Sequence, residues 1–408
     1  MAHPVARLAT DRRILALLQQ CAVLATGFVS GIALAHDLGP VDRGHYSIIQ
    51  TLYVLATPAL SFGVPLKLMA PSATLPSRRV VCVHVGCAAV VGGVLTNSLA
   101  PPSVVPLIGL LVIGPVLVSW SETVMARGGF AGHLQYVRTA DILMSSAAVV
   151  CLHVVGALTL MSVTMALYLP TILLRGGVIL LATGRSRPSG PVTPNWPSLY
   201  RSALGKVWPR ELLSVFAAYF DIILAALLLS PFELGIYAVA SALGKLALAP
   251  FSALYGEVVR RATGGDPVAL ICRTLLPVPA GLVGIAAVLA VVLGKGAIEL
   301  TFGSQYVAAA GVVPLLLIAF LFGGMASMFE TIVLVAMPAR VSAWARLAAL
   351  VAGLATCGIA VAMPDIDRTA AVVAAVTAMN LTAVVLTLRV MSGGVAERAA
   401  VGRGREAP

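Results

Sequence analysis

The sequence predicts an all-α polytopic membrane protein. Twelve transmembrane helices are expected, in two pseudo-symmetric six-helix lobes around a central cavity. Three observations lead there. Of 408 residues, 59% are hydrophobic and only 11% charged, where a soluble domain carries about a quarter charged. The mean hydropathy is +0.99, more apolar surface than an ordinary soluble fold can hide and the opposite of a disordered chain. Apolar runs also recur at the ~20 residues that cross a bilayer, and the two halves of the chain repeat a short motif.

The runs follow in order. The first, 14–36, comes after basic Arg7, Arg12 and Arg13; Ala33-Leu34-Ala35 imitates a signal cleavage site, but the run is too long for a signal peptide and reads as an uncleaved span. Runs at 46–69, 79–99 and 103–125 complete four spans, and 138–155 and 157–183, nearly fused at Gly156, make six. The stretch from Gly184 to Pro209 is rich in Pro, Arg and Ser and reads as a linker. Six further runs follow at 210–230, 233–259, 271–293, 308–336, 342–363 and 369–391. The domains are accordingly an N-lobe over 1–183, a linker over 184–209, a C-lobe over 210–391 and a tail over 392–408.

With twelve alternating spans and the N-terminus in the cytoplasm, 23 of the 27 Lys and Arg residues fall on the cytoplasmic side, tail included. That asymmetry obeys the positive-inside rule, and a miscounted helix would scramble it. The net charge of +11 therefore points to topology rather than to nucleic acid.

Two matches relate the halves. Leu38-x-Pro40-x-Asp42-x-Gly44-x-Tyr46 aligns with Leu229-x-Pro231-x-Glu233-x-Gly235-x-Tyr237 at an offset of 191; Glu122-Thr123 and Arg138 align with Glu330-Thr331 and Arg346 at an offset of 208. Halves with an even number of spans start on the same face, so the repeat is parallel. In the repeated motif the Pro ends one helix, the acid complements the dipole of the next, and the Gly is expected to make the turn.

Ionisable residues inside apolar runs are the candidates for function. Asp221 lies about eleven residues into its run, ~16 Å deep at 1.5 Å per residue, and Lys245 lies at similar depth in the next. They read as a substrate-binding cation with its resting counter-ion, or alternatively as a permanent ion pair that fixes packing. Arg175 is a third candidate for substrate binding, with snorkelling to the interface as its alternative. Glu122 with Arg138, and Glu330 with Arg346, are candidate gating pairs, or their arginines recruit lipid headgroups, with plain interfacial anchoring as the alternative. Pro250 and Pro314 are expected to bend their spans. His84 and His153 read as packing residues, and the six cysteines as small hydrophobes, without metal-binding spacing. There is no phosphate-binding loop, no Ser-His-Asp pattern and no HExxH, so neither catalytic residues nor a cofactor is expected. Energy must come from the substrate gradient, the membrane potential or a coupled H⁺ or Na⁺.

Three stretches resemble a known family: LGPVDRGHYSIIQTL at 38–52, YFDIILAALLLSPFELGIYAVASALGKL at 219–246 and FGSQYVAAAGVVPLLLIAF at 302–320. They are similar to polysaccharide exporters of the multidrug/oligosaccharidyl-lipid/polysaccharide superfamily, and specifically to its Wzx-type lipid-linked oligosaccharide flippases. The resemblance implies a MATE-like fold in the bacterial cytoplasmic membrane, with both termini cytoplasmic. It implies flipping of undecaprenyl-pyrophosphate-linked units for O-antigen, capsule or exopolysaccharide, with the lipid bilayer, the polyprenyl-pyrophosphate-linked glycan and a polysaccharide polymerase as partners. The chain is expected to act as a monomer. It places Asp221 and Lys245 at the family's acid in span seven and base in span eight. A cation-coupled multidrug exporter of the same superfamily and a non-transporting membrane scaffold are the alternatives. A major-facilitator transporter fits less well, because the Pro71–Arg79 loop lacks that family's pattern.

Overall fold

The computed structural model describes residues 12–68, 78–97, 108–127, 134–185, 196–264, 266–336 and 339–404, and every regular element among them is helical. The chain divides into two compact units, Met1–Phe216 and Ala217–Pro408.

The first unit opens with α1, Arg12–Ser61, broken at Gly39, whose φ of 67° ends the first arm. Pro40 then begins the second arm, where a missing N–H costs nothing. Phe62 and Gly63, at φ 51° and 66°, turn the chain into α2, Val64–Leu68. A side chain on Gly63 would stand 2.9 Å from the Trp208 backbone nitrogen, so that close approach demands glycine as well. Next come α3 (Arg78–Asn97), α4 (Ile108–Arg127) and α5 (Leu134–Val155). Gly156, at φ 69°, reverses the chain into α6, Leu160–Arg185. Its core gathers Leu60, Val64, Val81, Val112, Val116 and Trp120.

The expected linker is partly a built element. Residues 186–195 lie outside the described residues, but Trp196–Lys206 forms α7, and α8 runs Trp208–Ala218. Both dock on the first unit: the Tyr200 hydroxyl lies 2.6 Å from His84 Nδ1, and Trp208 Nε1 donates to the Pro58 carbonyl at 2.9 Å. Aromatic side chains spaced along a Pro- and Arg-rich stretch supply this anchoring.

In the second unit, α9 (Phe220–Leu228) and α10 (Pro231–Gly244) form a hairpin. A 3₁₀ stretch, Lys245–Leu248, joins α10 to α11, Ala249–Thr263. There follow α12 (Val268–Leu275), α13 (Pro277–Phe302), a 3₁₀ stretch at Ser304–Gly311, α14 (Val313–Ala336), α15 (Ala339–Ala362) and α16 (Arg368–Gly404). Glycine lets α14 sit close to its neighbours. A Cβ on Gly324 would overlap the edge of the Phe251 ring, and one on Gly244 would meet Leu316 Cβ at 2.7 Å.

Among the described residues seven helices are long and apolar enough to cross a membrane, or eight if Ser198–Ala218 and Phe220–Leu228 form one broken span. Val81–Val90 and Val112–Met125 are apolar but shorter. The molecule is thus a polytopic helical membrane protein.

Two local expectations change. Pro314 does not bend a span. It is the second residue of α14, where proline has no helical hydrogen bond to break, and the apolar residues before it form the separate 3₁₀ stretch. Pro250 does mark a distortion: it opens α11 directly after the Lys245–Leu248 3₁₀ stretch, and without an N–H it leaves the Leu246 carbonyl no α-helical donor. In the repeated motif, the turn is not made by the shared glycine. Gly235 is buried inside α10. The turn is made by Gly39 in one half and by extended Ser230 (φ −65°, ψ 160°) in the other. Ser230 and Glu233 form a capping box, the Glu233 carboxylate accepting the Ser230 N–H at 2.8 Å.

Candidate functional site

Asp221 lies in the first turn of α9, where the helix dipole favours a carboxylate. Lys245 opens the 3₁₀ stretch inside the apolar segment Pro231–Thr263. The α9–α10 hairpin folds the two together, with Lys245 Nζ 3.0 Å from Asp221 Oδ2. The Ser241 hydroxyl, one turn before Lys245, donates to the same oxygen. The ammonium also lies over two aromatic faces, 5.3 Å from the Tyr219 centroid and 5.6 Å from that of Phe320. Among the described residues Asp221 Oδ1 is buried with no hydrogen-bond donor. The sequence located the pair; it missed Ser241, Tyr219 and Phe320, which only the fold brings to the charged residues.

The two other pairs also form. Arg138 Nε donates to Glu122 Oε1 at 2.7 Å, bridging α4 and α5. Arg346 donates through Nε, at 2.8 Å, and through Nη2 to Glu330 Oε2, bridging α14 and α15. The Ser342 hydroxyl donates to the other Glu330 oxygen. Both pairs join residues sixteen apart, as the repeat requires.

Arg175 does not snorkel. It is 3% exposed inside the first unit, where Nε donates to Asp141 Oδ2 at 3.0 Å and Nη1 to Ser121 at 3.3 Å. Asp141 also accepts from the Thr171 hydroxyl at 2.6 Å. Arg175 is thus a buried partner of Asp141. Asp141 was not singled out from the sequence, although it lies one turn beyond Arg138 on α5, and Thr171 and Arg175 share one face of α6.

His84 is a packing residue, buried between the Tyr200 hydroxyl and the Leu60 carbonyl. His153 pairs with Asp37 at 2.7 Å on an exposed surface. Among the described residues no three His, Cys, Asp or Glu side chains gather to hold a metal.

No protein-family model and no curated protein sequence matches this chain. Its fold is similar to solved structures. It is similar to the lipid II flippase MurJ in an inward closed conformation, at 12% identity and a TM-score of 0.67, over 92% of this chain and 87% of that one. It is similar to an inward-facing multidrug resistance MATE family transporter of the MOP superfamily, at 11% identity and 0.61, over 94% of each. It is also similar to the Vibrio cholerae MATE transporter VcmN, at 15% identity and 0.56, over 93% of this chain and 94% of that one. The architecture is therefore the one shared by MATE transporters and MurJ.

Proposed function

We propose that this chain is a membrane transporter that flips a polyprenyl-pyrophosphate-linked oligosaccharide across the bacterial cytoplasmic membrane, as a Wzx-type flippase with twelve spans in two six-helix lobes and both termini cytoplasmic. One observation carries the reading: a lysine set in an apolar segment, its side chain 27% exposed and that of its counter-ion 2% exposed. A cation so placed is already desolvated on one side and open on the other. An incoming pyrophosphate meets it without having to strip a full water shell. Asp221 compensates the charge between substrates. The MurJ-like fold supports an amphipathic lipid-linked cargo.

A second reading, a cation-coupled exporter of small molecules, is favoured by a different aspect of the same site. The Asp221 carboxylate and the rings of Tyr219 and Phe320 together already hold a cation, Lys245's own.

Deletion of the gene separates the two. A flippase deletion loses surface polymer and accumulates lipid-linked units on the cytoplasmic leaflet. Unchanged polymer with lost cation-driven dye efflux overturns the first reading in favour of the second.

A further inference from the structure

The pseudo-equivalent Glu–Arg pairs are not built alike. In the second unit Glu330 is saturated: Arg346 takes one oxygen through two nitrogens and Ser342 takes the other. The side chains of that pair are only 26% and 13% exposed. In the first unit the bond is thinner. Among the described residues Arg138 reaches Glu122 through Nε alone, and its side chain is 46% exposed.

Glu122 also has a second guanidinium in reserve. Arg175 Nη1 stands 4.0 Å from the same oxygen that Arg138 holds at 2.7 Å. Arg175 currently spends that nitrogen on the neutral Ser121 hydroxyl at 3.3 Å. Exchanging Ser121 for Glu122 would replace a neutral acceptor by a charged one, a stronger partner for a guanidinium. Ser121 would not be orphaned, because its own proton already goes to the Val118 carbonyl at 2.8 Å. Glu330 has no equivalent second arginine among the described residues.

We propose that Arg138 is a docking site for a phosphate oxyanion, opened by a carboxylate switch in which Glu122 passes from Arg138 to Arg175. The fork of Arg138 then faces an anion bidentately, the geometry at which arginine excels. Glu122 keeps a cationic partner throughout, so no covered carboxylate is left unpaired. The phosphate belongs either to a prenyl pyrophosphate or to an anionic phospholipid headgroup. The proposal stands on the Glu122 geometry and does not rest on the flippase reading.

The test uses the full-length protein in nanodiscs. One arm titrates farnesyl pyrophosphate into phosphatidylcholine discs. The other measures retention of phosphatidylglycerol by native mass spectrometry. Arg138→Gln should weaken binding by about tenfold, the loss of a charge-assisted contact. Glu122→Gln should tighten it, by releasing Arg138 in advance. Arg346→Gln should leave it unchanged. A response in the first arm assigns the phosphate to a prenyl pyrophosphate, and one in the second to a lipid headgroup; either supports the site. If Arg138→Gln does not accumulate, Arg138→Lys keeps the charge without the fork and should still bind more weakly. Wild-type binding by the Arg138 variant in both arms, weaker binding by Glu122→Gln, or an equal loss in Arg346→Gln overturns the proposal.

Discussion

Lys245 and Asp221 meet at 3.0 Å but are covered unequally, the Asp221 side chain at 2% exposure and that of Lys245 at 27%. Breaking the pair from either side should therefore cost different amounts. Lys245→Ala strands a buried carboxylate, a loss of about 3–5 kcal/mol. Asp221→Asn leaves a less covered lysine whose ammonium keeps two aromatic faces, so it costs less. Thermal unfolding in detergent should rank the two variants in that order. A double variant, Lys245→Met with Asp221→Leu, removes both charges and should recover much of the lost stability. If Lys245 binds the substrate as proposed, export should not recover with it. Full export from the double variant would reduce the pair to packing.

Glycine substitutions in the second unit should move stability in opposite directions. A Cβ on Gly244 would lie 2.7 Å from Leu316 Cβ, and helices packed that tightly cannot give way freely. Gly244→Ala should destabilise by about 1–3 kcal/mol. Gly281, in α13, has nothing within 4 Å of its added Cβ. There the substitution only removes a helix-interior glycine, and Gly281→Ala should stabilise by about 0.5–1 kcal/mol. Melting temperatures of the two variants, measured side by side, test the packing of α14 directly.

How much the sequence disclosed follows a physical pattern. Asp221 and Lys245 were legible because an ionisable residue in an apolar run is costly and stands out; nothing local announced Ser241 or Phe320, which are ordinary helix residues until the fold brings them close. The Glu122–Arg138 and Glu330–Arg346 pairs were legible because the repeat displays them twice. Asp141 was not, since an arginine's partner on another helix leaves no mark in linear spacing. Pro314 was misplaced because an apolar 3₁₀ stretch and an apolar helix have the same composition. The α7 helix was hidden for the opposite reason: its Pro- and Arg-rich setting looks like a linker, while its anchoring rests on Tyr200.

The capping box at the start of α10 offers a cleaner energetic test, because it touches no charged residue of the candidate site. Ser230 Oγ accepts the Glu233 N–H at 3.4 Å and the Glu233 carboxylate accepts the Ser230 N–H at 2.8 Å. Ser230→Ala should cost about 1 kcal/mol. Glu233→Ala should cost a similar amount, and the double variant clearly less than the sum, since each residue satisfies the other. A double-mutant cycle on the unfolding midpoint reads this coupling, and strict additivity would show that the box does not act as a unit.

The Glu330–Arg346 pair should behave as a fixed clasp between α14 and α15. Arg346 holds one carboxylate oxygen through two nitrogens and Ser342 holds the other, with Glu330 only 13% exposed. Pairs on an open surface contribute about 0–1 kcal/mol; this one is partly dehydrated, so reversal of one charge should be felt strongly. Arg346→Glu sets two carboxylates against each other and should lower both thermal stability and export. Glu330→Arg should do the same by opposing two guanidiniums. Combining the two restores opposite charges in reversed order across the same helix contact, and export should return to a large fraction of wild type. If both single reversals transport normally, the clasp has no part in the transport cycle. If the double variant restores stability but not export, the orientation of the pair matters to transport in its own right, and Ser342 is the next residue to change, since its hydroxyl fixes which carboxylate oxygen faces Arg346.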